Sequence, residues 1–295
     1  MWHIPVLPQE TLDGLQFRPD SVVLDVTCGL GGHTGLIAQQ LETGKVIACD
    51  RDPESLEMAR ENTKAWSDRI VFVQSRFSEL TVKLSELGVL PADCLVADLG
   101  VSRYQLTQPE RGFSLTNKGP LDMRMDRTGP GETAADIVNF SSEKDLADLI
   151  YQLGDERRSR RIARALVRAR PIQTTRQLAE VIESVVPRTG KLAPGTQTFM
   201  ALRQAVNEEP QELDALLLAL PALVKPGGRV AVISFMSLED RKVKQAFQSL
   251  GREGRALLIN KHVVAPAEAE VRSNPPSRSA KLRVLEMQST GDAER

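Results

Sequence analysis

Residues 22–34 read VVLDVTCGLGGHT, and this stretch decides the fold. A short apolar run ends on Asp25 and breaks at once into Gly29, Gly31 and Gly32; Leu36, Ile37 and Leu41 then give the next stretch an apolar helical face. A strand, a glycine turn and a helix in that order open a nucleotide pocket in a parallel α/β sheet. Glycine lets the backbone approach a ligand closely, and the helix start offers unspent N–H groups. A second apolar run, Lys45–Asp50 (KVIACD), ends on an acid 19 positions after Gly31, where a carboxylate can hold two ribose hydroxyls.

Working outward, Asp52 and Pro53 are a good N-cap and first residue for a helix over Asp52–Lys64. Ile70–Gln74 (IVFVQ) reads as a third strand, Ser78–Leu87 as a helix and Cys94–Leu99 as a fourth strand. His3–Leu15 reads as a leading segment with a short helix. From Tyr104 to about Asn207 no strand pattern occurs. Helical patterns run over Thr133–Val138, Ser142–Leu153, Asp155–Arg170, Thr175–Val185 and Gln197–Val206, preceded by the aperiodic Arg111–Asp126. Strands resume after a helix (Gln211–Val224) and a K-P-G-G turn, at Arg229–Phe235, Ala256–Val264 and Lys281–Met287. Alternating strands and helices predict an α/β fold with a parallel, doubly wound, seven-stranded sheet. Residues 1–105 and 208–288 should form the sheet domain, 106–207 a helical insert between strands four and five, and 289–295 a disordered tail.

Composition narrows the classes. With 41% hydrophobic and 26% charged residues the chain suits a soluble globular protein, and no apolar run approaches the ~20 residues of a membrane span. The first residues have neither the basic nor the apolar region of a signal peptide. Cys28, Cys49 and Cys94 sit in or beside strands, as reduced thiols of a cytoplasmic protein would. Three histidines without C-x-x-C or H-x-x-x-H spacing argue against a metal site. The net charge of −1 hides a polarity: between Asp155 and Lys191 ten Lys/Arg face four Asp/Glu, and Arg272, Arg278, Lys281 and Arg283 form a second basic group. Local patches of this kind steer polyanions.

Two ligands compete for the glycine turn. A nicotinamide cofactor calls for G-x-G-x-x-G, which Gly29, Gly31 and Gly35 fit poorly. S-adenosylmethionine (SAM) methyltransferases use the same turn, with acids closing strands one and four (Asp25, Asp98) and a P-G-G turn before strand five (Pro226–Gly228). All are present, so the expected fold is the class I SAM-dependent methyltransferase type, a Rossmann-like seven-stranded sheet carrying the insert. Gly31, Gly32 and His33 would line the methionine end, Asp50 the ribose and Phe77 the adenine. Alternatively His33 caps the helix, Phe77 is core and Asp50 is a turn residue.

Five further motifs carry a resemblance: DLGVSRYQL (98–106), ERGFSLTNKGPLDMRMD (110–126), TFMALRQAVN (198–207), ISFMSLEDR (233–241) and NPPSRSAKLRV (274–284). Together with HIPVL (3–7) and the GLGGHT turn they closely resemble the RsmH (MraW) family, from His3 to Val284. The resemblance implies a SAM-dependent N4-cytidine methyltransferase of small-subunit (16S) ribosomal RNA, acting at the decoding centre on free RNA or a ribosomal particle. It leaves a homodimer open. SAM contacts fall on Gly31, Gly32, His33, Asp50, Phe77, Asp98 and Gln105. The chain departs from the family at Val26 (commonly Gly), Met200 (Gln), Met236 (His) and Pro276 (Arg). The last three remove polar groups from motifs expected to face substrate.

For the chemistry, Asp98 and Ser102 follow strand four, where amino-methyltransferases hold the acceptor amine. Asp122, Arg124 and Asp126 could frame a flipped cytidine or form an ion-pair cluster holding the insert. Arg157, Arg161, Arg164 and Arg168 share one helical stripe opposite Ile162, Ala165, Leu166 and Ala169, suiting RNA phosphates or a solvated face. Ser277, Arg278 and Lys281 could reach another phosphate. Ser234, Ser237, Glu239 and Arg241 follow strand five, while Met123, Met125 and Met236 read as packing. Cys94 begins its strand and Cys28 lies in the glycine turn, which disfavours a cysteine nucleophile. The alternative function is an RNA-binding ribosome-assembly module with a vestigial SAM site.

Overall fold

The structure, a computed structural model, describes residues 5–188 and 193–289. His3, Lys191 and residues 290–295 of the expected tail lie outside the described residues. The chain divides into two compact units, one of residues 1–100 and 211–295, the other of residues 101–210.

In the first unit α1 (Pro8–Leu15) precedes β1 (Val22–Asp25), α2 (Gly32–Gln40), β2 (Lys45–Asp50), α3 (Pro53–Asn62), β3 (Ile70–Gln74), α4 (Leu80–Glu86) and β4 (Ala92–Asp98). The Asp52 side chain caps α3, accepting the N–H groups of Glu54 and Ser55. The second unit holds α5 (Arg103–Thr107), α6 (Ala134–Phe140), α7 (Glu143–Gly154), α8 (Ser159–Ala169), α9 (Thr175–Val185) and α10 (Thr196–Val206). The chain then returns through α11 (Glu209–Leu223) to β5 (Val224–Ser234), α12 (Ser237–Arg252), β6 (Ala256–Leu258), α13 (Glu268–Ser273) and β7 (Lys281–Met287).

The seven strands lie in the order β3-β2-β1-β4-β5-β7-β6, with β7 antiparallel to both neighbours. This is the class I methyltransferase sheet. Two apolar layers cover it: Leu24, Ile47, Leu95 and Val232 face α4, α11 and α12, whereas Val23, Val46, Val96 and Ile233 face α1, α2 and α3. Alternate residues of one strand thus enter opposite layers, as a pleated sheet buried on both faces requires.

Three strands differ in extent from expectation: β4 runs Ala92–Asp98 instead of Cys94–Leu99, and β5 and β6 depart at one end or both. Val224 already pairs with Ala92, so β5 begins before the K-P-G-G segment, which bulges out of register until Arg229 meets Cys94. β6 stops at Leu258 instead of reaching Val264. The Asn260 side chain there donates to the His262 and Leu282 carbonyls and accepts the Val284 N–H, replacing a strand ladder, and Val264 regains only a single bridge to Leu282. Helix α8 is shorter than Asp155–Arg170 and leaves Arg157 in the preceding turn. Its inward face is Ser159, Ile162, Ala163 and Leu166; Ala165 is half-buried and Ala169 exposed. Helical spacing from Ile162 and Leu166 centres the apolar stripe between these residues, leaving Ala165 and Ala169 at its margin.

The second unit packs its helices around Leu146, Ile150, Ile162, Leu166, Leu178, Ile182, Phe199 and Leu202. Its aperiodic segment is ordered from the side. Fully buried Arg111 donates to the Met125 and Arg124 carbonyls. Asn207 donates to the Met123 carbonyl and accepts the Met125 N–H, each at 2.8 Å. With its backbone thus satisfied, the segment buries Met123 and Met125 without forming a helix or strand.

Candidate functional site

In the first unit the site begins where β1 ends. Gly31, with φ 85°, is the N-cap of α2, and a Cβ there would lie 2.8 Å from the Thr63 methyl. Gly31 therefore meets both the left-handed backbone and the close approach that only glycine tolerates. Gly32 starts α2, and the buried His33 follows. Val26 pairs its N–H with the Val96 carbonyl and packs in the core without a positive φ, so the glycine common in the family is not needed for backbone freedom.

Asp50, at the end of β2, accepts the N–H of Gly29 at 2.7 Å and of Asp52 at 2.9 Å, tying the second strand to the glycine turn. A carboxylate has about four lone-pair sites, so these bonds leave capacity for ribose hydroxyls. Asp25 accepts from the Thr34 hydroxyl at 2.6 Å and the Thr27 N–H at 3.2 Å. Burial pushes both aspartates up to about 6. Phe77, just after β3, is half-buried against the core, which meets the packing reading and still leaves an edge for a ligand.

Asp98, at the end of β4, is the least satisfied group. Its Oδ1 is buried with no hydrogen-bond partner, and desolvation, then the charges of Asp25 and Glu239, push it up to about 8. His33 Nδ1 lies 3.7 Å from Asp98 Oδ2, yet this is no ion pair. His33 Nε2 is 3.0 Å from the Val6 carbonyl, which can only accept, so Nε2 carries the proton and Nδ1 faces Asp98 bare. Burial drives His33 down to about 4, leaving it neutral. Three carboxylates, Asp25 buried and Asp50 and Asp98 largely so, therefore converge at these strand ends, and among the described residues none of them pairs with a lysine or arginine. The unpartnered oxygen of Asp98 and the Gly31 approach fit a cationic nucleotide-like ligand such as SAM. Cys28, Cys49 and Cys94 are buried free thiols whose pKa values burial raises, so none is a ready nucleophile.

Candidates in the second unit are engaged with one another. Ser102 and Gln105 form a capping box on α5: the Ser102 hydroxyl accepts the Gln105 N–H, and Gln105 Oε1 accepts the Ser102 N–H. Arg124 grips Asp122 through Nε and a terminal nitrogen at 2.8 and 3.0 Å, holding that carboxyl below its usual range. Asp126 instead accepts from the Thr128 N–H and hydroxyl. Met200 lines a cavity of about 250 Å³ with Leu106, Phe113, Leu115, Phe199 and Arg203.

On α8, Arg161, Arg164 and Arg168 are exposed, and so is Arg160, which the sequence reading omitted. A 3.6-residue period puts these four within an arc of about 100°. Arg278 is exposed as well. Ser277 is fully buried and Lys281 lies 3.5 Å from Asp240, so two of the three NPPSRSAK candidates face inward or are paired. Glu239 accepts the N–H groups of Phe235 and Met236, capping α12, and Ser234 is buried.

Arg111, Asn207 and Arg160 escaped the sequence reading. Arg160 was readable from its three- and four-residue offsets. Nothing in the sequence distinguished Arg111 and Asn207 from surface polar residues.

Comparison with known proteins identifies the family of the chain. Ribosomal RNA small subunit methyltransferase H of Solibacter usitatus is 59% identical over 285 residues, covering 97% of this chain and 99% of that protein. Proteins of the same name from Gloeobacter violaceus and Acidobacterium capsulatum are 44% and 45% identical, covering 99% and 96% of this chain and 90% and 98% of their own lengths. The family described as MraW methylase matches residues 1–288, and the chain belongs to it.

Proposed function

We propose that this protein is a SAM-dependent methyltransferase of small-subunit ribosomal RNA that methylates N4 of a cytidine in the decoding centre. The observation that carries the donor half is the convergence of Asp25, Asp50 and Asp98 beside the glycine turn, where Asp98 Oδ1 is buried without a hydrogen-bond partner. The acceptor half rests on the relatives' shared name and on the exposed arginines of α8.

When bound, SAM supplies a methyl group on a cationic sulfonium, together with an ammonium and a ribose diol. Asp50 would accept from the ribose hydroxyls while keeping its backbone bonds, and the start of α2 at Gly32 would meet the methionine end, the Gly31 N–H being already donated to the Cys28 carbonyl. Asp98, once ionised, accepts an N–H: either the donor's ammonium or the cytosine amine, whose lone pair must be freed from the ring. Unchanged turnover of Asp98→Asn at saturating donor would assign it to donor binding alone. Positioning and exclusion of water supply most of the acceleration. The arginines of α8 hold RNA phosphates, so charge reversal there should flatten the salt dependence of RNA binding without changing donor affinity. Buried free thiols suit a cytoplasmic site of action.

The test is transfer of labelled methyl groups to naked small-subunit RNA and to assembled subunits, with nucleoside mass spectrometry of the product. N4-methylcytidine supports the reading. Intact RNA binding with no methylated product would instead support an assembly module, the reading that Met200 and Met236 favour by their lost polar groups.

A further inference from the structure

Phe140, the last residue of α6, is 81% exposed, and the core of its unit does not use it. A phenylalanine this open gains nothing for folding. Its surroundings are unusual: the segment 138–143 is stitched to the far end of α8 on both sides of Phe140. The Arg170 guanidinium donates to the Val138 and Ser141 carbonyls. Asn139 and Ile172 exchange two hydrogen bonds, at 2.7 and 2.8 Å. Arg164 Nε lies 3.3 Å from Glu143. The exposed ring is thereby held on a rigid backbone next to the helix that presents Arg160, Arg161, Arg164 and Arg168.

Among the described residues, Arg160, Arg161 and Arg168 make no ion pair, and the Arg164–Glu143 pair is exposed enough for a phosphate to compete with it. Arg161 and Arg168 are about 10 Å apart along the helix axis, room for more than one phosphate. An exposed aromatic beside a predominantly cationic helix face is the arrangement that binds single-stranded nucleic acid: the cations track the backbone and the ring stacks a base. A duplex offers the same phosphates but keeps its bases stacked on each other. A protein partner would need acidic groups for the arginines, and would be expected to cover a wider apolar area than one ring.

We propose that Phe140 is a stacking platform for an unpaired base of the RNA substrate, and that the Phe140–α8 face selects single-stranded over duplex RNA. This rests on the reading of the protein as an RNA methyltransferase and adds the form of RNA that its insert recognises.

The experiment compares the full-length wild type with F140A and F140W. It measures affinity for an unstructured pyrimidine-rich oligoribonucleotide and for the same sequence in a duplex, alongside melting temperature and SAM affinity. F140A should bind the single strand roughly tenfold more weakly, with duplex binding, melting temperature and SAM affinity unchanged, and F140W should restore the wild-type value. Single-strand affinity of F140A within twofold of wild type overturns the proposal, as does an equal loss on the duplex. Loss confined to protein-containing ribosomal particles also overturns it, assigning the ring to a protein contact. Should wild type methylate ribosomal RNA while F140A binds the oligonucleotide normally, only this inference falls. Should wild type transfer no methyl group, the enzymatic reading falls, and the oligonucleotide comparison still decides the role of Phe140.

Discussion

Asp98 and Asp122 are both partly buried aspartates in family motifs, and their surroundings treat them oppositely. Asp122 is clasped by Arg124 through two hydrogen bonds and titrates below its usual range. Asp98 has a buried oxygen with no partner, a neutral histidine beside it and other carboxylates nearby, and titrates at about 8. The first arrangement is complete as it stands. The second carries a cost that a cationic ligand would relieve. A motif residue left unsatisfied thus points to a ligand more strongly than one that is merely polar and buried.

Substitution tests this contrast most severely. Asp98→Asn should weaken SAM binding roughly 100-fold, the upper part of the range for a hydrogen bond to a charged group. The same change should raise the ligand-free melting temperature at pH 9, where it removes an ionised, unpaired carboxylate. Asp122→Asn should do the reverse, lowering the melting temperature with SAM affinity intact. Calorimetric titration and thermal melts on both variants decide it; normal SAM affinity in Asp98→Asn would erase the distinction.

Asn207→Ala leaves the Met125 N–H and the Met123 carbonyl without their partners and should cost about 2 kcal/mol, read from denaturant unfolding of the full chain. A cost near zero would mean that the aperiodic segment is held by Arg111 alone.

The pH dependence is a gentler probe. Without ligand Asp98 holds its proton up to about pH 8, whereas a bound cation favours the carboxylate, so binding expels a proton below that pH. SAM affinity should therefore rise as pH increases from 6, by at most about tenfold per unit for one proton, and level off above about 8. In Asp98→Asn this slope should vanish; if it persists, the proton comes from another group.

Ser102→Ala should have the smallest effect, about 1 kcal/mol of stability for a lost N-cap, with SAM affinity unchanged. A loss of affinity on the scale of Asp98→Asn would return Ser102 to the site.

The sheet was legible because periodicity and punctuation agree there. β2, β3 and β7 fall on the expected residues, since apolar runs bounded by Asp, Gly and Pro leave little choice. The expected ends of β6 failed where one side chain, Asn260, replaces the ladder, an event with no composition signature. Gly31, Asp50 and Asp98 were readable as strand ends beside a glycine turn. The state of Asp98 was not, because it follows from burial and from the charges of Asp25 and Glu239, which only the folded sheet brings beside it. The S-x-x-Q spacing of Ser102 and Gln105 is itself a capping signature, so their structural engagement was available from sequence alone.

The pairing of β4 with β5 carries a last consequence. Asp98 lies opposite Ile233, and every residue of the second unit intervenes between them in sequence. On a growing chain the first four strands emerge early, but the central seam of the sheet stays open until more than a hundred further residues have been synthesised. Through that interval the edge of β4 is unpaired, and contacts this remote are the slow ones to form. Synthesis order therefore makes completion of the donor site a late event.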